Sequence, residues 1–418
     1  MKKTSNIFYL TFLALPLAFV GIPIYLNIAD FYAKKFGLNL VLIGSLLAFV
    51  RILDALQDPF IGYFSDYLCG KKIARQQIIS FSSLALAAFF YLVFNPPQSI
   101  DSTIAAIWFT GSLAMTYLCF NFAVINFEAA IAISAKDDQE RVTLNSLKEF
   151  LGLIGMIFAF IIPGILSEFF DSKQQNYFFL SLVFISLILL SNLLFLGIKE
   201  ESQQVERKFY KPKFKEILGD KKFIFFLLIF FLNSVAVSLP AANMSFYVSD
   251  VLQSAQNIPW FLTTYFISAC LFIPLWRMLF NKIGIIRSWM FSIAGAVTTF
   301  AFAYFLNSKN SQYFYLICLL SGIFLGADLI AAPSLMAKIC EQKERLVSSY
   351  FSLWNFFGKI GLMVSASGSL IILGFFHYQP GNPINENLNQ LSFFYAALPC
   401  LIKIAVAALL LKFKKYEN

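Results

Sequence analysis

Apolar runs of about 20 residues, the length that crosses a bilayer core, recur twelve times along the chain. They fall near residues 7–29, 39–66, 74–94, 104–133, 147–167, 176–197, 222–248, 258–279, 285–306, 311–337, 346–375 and 391–411. The runs are too long and too uniformly apolar for the alternation of a membrane barrel, so each predicts a helix. The only long hydrophilic internal segment, Lys199–Lys222, carries Arg207, Lys208, Lys211, Lys213 and Lys215 and leaves six spans on either side. Short loops between spans and one long central loop are what two duplicated six-helix halves would give. The expected fold class is therefore an all-α integral membrane protein of twelve transmembrane helices. Its halves are residues 1–198 and 222–418, joined by a cytoplasmic linker, 199–221.

Composition agrees: 59% of the 418 residues are hydrophobic and 13% charged. The net charge of +9 raises nucleic-acid binding until the charges are mapped. With the N-terminus placed inside, 25 of the 32 Lys and Arg fall on the inner side. Four lie outside (Lys34, Lys35, Lys173 and Lys309) and three within spans (Arg51, Lys359 and Lys403). Such asymmetry reports topology, with both termini cytoplasmic, and no nucleic-acid partner is expected. The start, Met1-Lys2-Lys3 before an apolar run, resembles a signal peptide. The run is too long and lacks a small-residue cleavage site, so it is expected to stay as span 1. Six cysteines without a C-x-x-C suggest neither a disulfide framework nor a metal site. The single His377 and the absence of H-E-x-x-H, G-x-S-x-G and G-x-x-x-x-G-K-[ST] argue against an enzyme and against ATP binding.

Charged groups inside spans carry the chemistry. Span 2 reads Arg51-Ile-Leu-Asp54-Ala-Leu-Gln-Asp58-Pro-Phe-Ile-Gly62-Tyr-Phe-Ser-Asp66. Arg51, Asp54, Asp58 and Gly62 share a helix arc of about 80°. A charge at mid-bilayer costs at least about 2.5–3.5 kcal/mol, so such a line marks a substrate or ion pathway by default. On span 11, Ser352, Asn355 and Lys359 share one face, and Lys359 is too deep to snorkel easily. Asp328 sits mid-span in span 10 among small residues that allow close helix approach. If these groups converge, Arg51 and Lys359 face Asp54, Asp58 and Asp328, leaving one surplus carboxylate for H+ or Na+. Asn27, Asn121, Asn126, Asn233 and Asn355 are candidates for the substrate cavity. Asp66, Lys71, Lys72, Glu140 and Arg141 are candidates for a cytoplasmic gate. Glu128, Lys148 and Glu149 read as a solvated or gate salt bridge, and Lys403 as facing headgroups or an acid.

The loop Gly62-Tyr-Phe-Ser-Asp66-Tyr-Leu-Cys-Gly70-Lys71-Lys72 resembles the G-x-x-x-D-x-x-G-[RK]-[RK] loop of the major facilitator superfamily. A degenerate copy, Pro274-Leu-Trp-Arg277-Met-Leu-Phe-Asn281-Lys282-Ile-Gly284-Ile-Ile-Arg287, lies about one half-length later. Gly70 and Gly284 are each expected to allow a turn with positive φ. Arg51-x-x-Asp54-Ala-x-x-Asp58-Pro-x-x-Gly62-x-x-x-Asp66 resembles the helix-2 signature of the glycoside–pentoside–hexuronide:cation symporters, the melibiose-permease family. Asp138-Gln-Glu140-Arg141-Val-Thr-Leu-Asn145-Ser resembles that family's loop 4–5, and Tyr350-Phe-Ser-Leu-Trp354-Asn-Phe-Phe-Gly-Lys359 its helix 11.

The resemblance implies a major facilitator fold, cation-site aspartates at Asp54 and Asp58, and a nearby lysine at Lys359. It departs where melibiose permeases hold sugar with acids in helices 1 and 4. Those places fall near Ala18 and Val124 here, and the usual helix-4 Pro falls at Asn126. The implied function is secondary active transport, a symporter moving a sugar, glycoside or similar small organic solute with Na+ or H+ as coupling ion. No other cofactor is expected. The sodium-dependent lysolipid transporters share the helix-2 signature, so a lysophospholipid or amphiphile carrier is the alternative, and a non-transporting membrane sensor a further one. The expected setting is a monomer in the bilayer of a bacterial inner membrane. The topology has a direct test. A membrane-impermeant maleimide applied from outside should label Asn310→Cys, after span 9, and leave Val205→Cys untouched until the membrane is permeabilised.

Overall fold

A computed structural model describes residues 2–71, 73–97, 100–170, 172–197, 214–376, 378–379, 381 and 388–417. Among the described residues, twelve helices are long and apolar enough to cross a membrane. Numbered in chain order, they begin with α1 (Ala14–Phe36), after a short helix Lys2–Thr11, then α2 (Leu40–Gly70) and α3 (Arg75–Phe94). Next come α4 (Ser102–Ser134), α5 (Asp138–Phe169) and α6 (Lys173–Leu196). The later six are α7 (Lys221–Phe246), α8 (Ile258–Ile283), α9 (Ile285–Ala301), α10 (Phe314–Ile339), α11 (Val347–Phe375) and α12 (Leu398–Glu417). Among the described residues there is no strand. With no water in a bilayer core, backbone groups must bond within their own segment, and helices do that.

Local chemistry sets the ends. Asn39 and Asp101 cap α2 and α4 by accepting from the backbone N–H groups of Val41 and Ile104. α5 starts at Asp138, nine residues before the apolar run that marked span 5. Asp138 and Glu140 in its first turn suit the positive end of a helix dipole. Gly284 turns between α8 and α9 with φ 84°, as its sequence suggested. Gly70 does not: it is the last helical residue of α2, and the chain leaves through Lys71.

The chain forms two compact units. One comprises residues 1–136, 147–213 and 340–353, the other 137–146, 214–339 and 354–418. In the first unit α2 and α3 pack on α4, and α3 packs on α6. In the second, α8 and α9 pack on α10, and α9 packs on α12. Adding six to each helix number of the first set gives the second, so one packing scheme is used twice. Aromatic contacts fill both interiors: Phe90 and Phe184 ring centroids lie 4.6 Å apart in one, and Tyr247 stacks on Tyr395 at 3.9 Å in the other. Phenylalanines occupy both environments, Phe19 and Phe226 being buried while Phe60 and Phe81 are exposed.

Small residues let helices touch through backbone. A Cβ at Gly322 or Gly326 of α10 would press on the carbonyls of Tyr265 or Ala269 in α8, the close approach read from the small residues flanking Asp328. In the first unit a Cβ at Gly155 of α5 would collide with the Leu15 carbonyl of α1, whereas Gly164 on the same helix faces open space. Gly155→Val should therefore lower thermal stability in detergent, by the roughly 1–3 kcal/mol typical of overpacking. Gly164→Val should leave it within about 0.5 kcal/mol. Equal melting temperatures for the two variants would contradict the α1–α5 contact.

Candidate functional site

In the first unit the helix-2 line divides into three environments. Asp58 is fully buried. Asp54, half-buried, accepts a hydrogen bond from the Asn121 side-chain amide of α4 at 2.7 Å, and the same amide reaches the Asp54 backbone carbonyl at 3.3 Å. Asn121 thus holds one carboxylate of the i, i+4 pair in a fixed direction. Arg51, one turn from Asp54, was expected in a charge network with the acids. It is instead exposed and lies over the Tyr25 ring of α1, 5.8 Å from its centroid.

At the other end of α2 the buried Asp66 is heavily engaged. Its carboxylate accepts from the backbone N–H groups of Ser348 (3.1 Å) and Ser349 (2.8 Å) and from the Ser349 hydroxyl (2.6 Å). Those N–H groups belong to the first turn of α11, where helical donors lack intrahelical partners and the dipole favours an anion. Arg75, the first residue of α3, adds its guanidinium at 3.5 Å and donates to the Ser348 hydroxyl and to the Asn126 side-chain oxygen. Asn126 in turn donates to the Ser65 hydroxyl at 2.8 Å. Asn126, a substrate-cavity candidate by sequence, is therefore a fully buried strut of the Asp66 cluster. Its amide serves both as donor and acceptor, a role that proline could not play.

The other gate candidates part company. Lys71 lies exposed over the Tyr67 ring at 4.7 Å, in keeping with a headgroup position. Lys72 falls outside the described residues. Arg141 and Glu140 belong to the second unit, at the start of α5. There the buried Arg141 donates to Asp138 at 2.6 Å, and Asp138 also holds Lys338 of α10 at 3.0 Å. Asn145 donates to Ser334 of α10 at 3.3 Å. Glu140, half-buried, donates its backbone N–H to Asp137. In the first unit Lys148 of α5 bridges Glu149 at 2.8 Å and Glu128 of α4 at 3.8 Å, a salt bridge as read from sequence.

The second unit corrects the central charge account. Asp328 pairs with Lys403 of α12, and its other oxygen accepts from the Trp289 indole of α9 at 2.5 Å. Lys403 also donates to the Asn233 side-chain oxygen of α7 at 2.8 Å. Four helices are thus tied through one charge pair whose side chains are only about a tenth exposed. Asp328 therefore meets Lys403 rather than Arg51 or Lys359, and Asn233 is committed to this network rather than lining an open cavity. The sequence held the residues but no sign of the pairing, because the two partners are 75 positions apart. Lys359 and Asn355, both half-buried, lie on α11 in the second unit, and Asn27, half-buried, on α1 in the first.

Removing one partner of a buried pair strands a charge, at about 3–5 kcal/mol, while removing both is far milder. Lys403→Met should accordingly destabilise the protein severely. Adding Asp328→Asn should restore much of the lost thermal stability. Additive losses in the double variant would show that the contact carries no coupling.

Comparison with known proteins fits this architecture. A bacterial homologue of the iron transporter ferroportin, solved in an outward-facing state, shares the fold with a TM-score of 0.73 at 16% identity, covering 98% of this chain and 99% of that one. The uncharacterized symporter YnaJ of Bacillus subtilis (strain 168) is 24% identical over 371 residues, 83% of this chain and 78% of that protein. The sodium-dependent lysophosphatidylcholine symporter 1-A of Danio rerio is 19% identical over 387 residues, 81% of this chain and 72% of that protein. The profile of one family matches residues 8–417. The chain belongs to the MFS/sugar transport protein family, within the major facilitator superfamily, and is a membrane transporter.

Proposed function

We propose that this transporter is a symporter that couples Na+ or H+ to uptake of a small organic solute, a sugar or glycoside in the first instance. The observation that carries the proposal is the α2 pair. Asp54 and Asp58 stand one turn apart in the middle of a span, one of them fully buried and the other oriented by Asn121. Two carboxylates at that spacing supply the oxygen ligands a hard cation takes. Asp328, paired with Lys403, takes no part in the charge of this pair. The coupling reading stands on the pair and on the symporters among the relatives.

Alternating access supplies the mechanism. The Asp66 cluster holds the start of α11, and the Asp138 cluster holds α10 to the start of α5. Both are polar, close to span ends, and made of bonds that water can replace. They suit contacts that break and re-form as access changes sides. We place both termini in the cytoplasm, on the strength of the basic-residue asymmetry, in a monomer of a bacterial inner membrane.

An amphiphile is the second candidate solute. An open groove of about 340 Å3 between α2 and α4 has Asp54, Gln57 and Tyr117 as polar lining and the exposed Leu53, Phe60 and Met115 among its apolar walls. One relative is named for a lysolipid. Asp58→Asn separates coupling from folding, since it removes a charge and little volume. The variant should insert and purify normally, yet fail to accumulate solute in proteoliposomes under an inward Na+ or H+ gradient. Undiminished uphill accumulation would remove Asp58 from the mechanism.

A further inference from the structure

The second unit carries a groove that the α2 pair does not use. It lies where α11 ends and the chain approaches α12, the outer face in the topology proposed above. The groove is open, holds about 320 Å3 and is lined by Phe376, Asn389, Gln390, Phe393 and Phe394. That volume is at the lower end of the roughly 300–1,000 Å3 of small-molecule sites.

Its walls are held in place. Phe393 and Phe394 stand in a π turn, Phe393–Ala397, directly before α12. Such wide turns are rare and are often found at functional sites. The two rings are perpendicular, with centroids 5.7 Å apart. Phe394 packs with Leu373, Tyr378 and Leu391 in one buried cluster. Tyr378 is itself pinned. Its hydroxyl donates to Asp250, which is buried in the π turn Tyr247–Val251 that closes α7. The Gly381 N–H donates to the same carboxylate oxygen at 3.0 Å.

The lining selects its occupant. None of the five residues is charged, so an acid or a cation finds nothing to pair with. Among the described residues nothing donates to the enclosed side-chain oxygen of Gln390. An enclosed acceptor left unmatched is costly, so this one calls for an O–H or N–H group. A hydrocarbon chain cannot supply that bond. The phenyl rings have negative faces, which attract the weakly positive C–H groups of a sugar ring. Asn389, exposed beside Gln390, adds a donor and an acceptor for further hydroxyls.

We propose that this groove is a second binding site, for a neutral, hydroxyl-rich solute of the sugar class. It gathers solute at the outer end of the second unit. The proposal needs only that the chain is a transporter, and not the coupling assigned to Asp54 and Asp58.

The test reads occupancy of the groove. The full chain carrying Asn389→Cys, in nanodiscs, is treated with N-ethylmaleimide. Reaction at residue 389 is followed by site-resolved mass spectrometry, with maltose, sucrose or glucose added singly. At least one sugar should slow the reaction in a saturable way. Diethylene glycol dimethyl ether, which has acceptors but no O–H, should not. Adding Gln390→Leu should raise the half-protecting sugar concentration about tenfold, as loss of one well-made hydrogen bond dictates. Phe393→Ala should raise it as well, and it decides if Gln390→Leu does not fold. Labelling of Asn310→Cys, in the connection after α9, should not respond to sugar. Three results each overturn the proposal: no protection by any of the sugars, equal protection by the ether or by dodecanol, and equal slowing at residue 310. The labelling needs no ion gradient, so the uptake of the Asp58→Asn variant bears on the coupling alone.

Discussion

The cost of a bare charge in hydrocarbon organises this molecule. Asp66, Lys148 and Lys403, all buried, each find a match on another helix, and each match ties helices together. Asp66 draws on α3 and α11, Lys148 on α4, and Lys403 on α7 and α10. None of these contacts need contribute much net stability, since desolvation offsets much of the Coulombic gain. They are instead expensive to break singly. Apolar packing against lipid is almost without direction, so polar contacts act together with small-residue packing to set which helix faces which.

The polar clusters differ in kind. The Asp66 cluster uses a helix N-terminus, two serine hydroxyls, an asparagine and an arginine, a set with many exchangeable donors. The Asp328 cluster uses one ion pair with one indole and one amide, drawn from four helices of the second unit. The α2 site differs again. Asp58 is fully sealed, Asp54 is oriented and half-buried, and Arg51 stands open.

The chemistry of the helix-2 line was legible in sequence because helical periodicity alone puts Arg51, Asp54, Asp58 and Gly62 on one arc. Asp66 was singled out in sequence by its place in a loop motif. Its partners were not: Ser348 and Ser349 are ordinary serines in an apolar run, and they matter only because they begin a helix that reaches Asp66. Asn126 and Asn233 looked like cavity residues because a polar group in a span could serve solute or protein equally. The contacts made by Arg75 and Lys403 decide for protein.

By itself the sequence determined twelve spans, the basic asymmetry and the one span dense with charge. All of these follow from local hydropathy and helical geometry, which need no knowledge of neighbours. Tertiary structure alone decided who neutralises whom. It gave Asp328 to Lys403 and removed it from the central count, made Asn126 a strut, and left Arg51 exposed over an aromatic ring. The physical reason is range. A helix fixes the direction of a side chain from a few residues on either side. Its counter-charge comes from whichever helix packs there, and that is set by small-residue contacts and volumes far away in the chain.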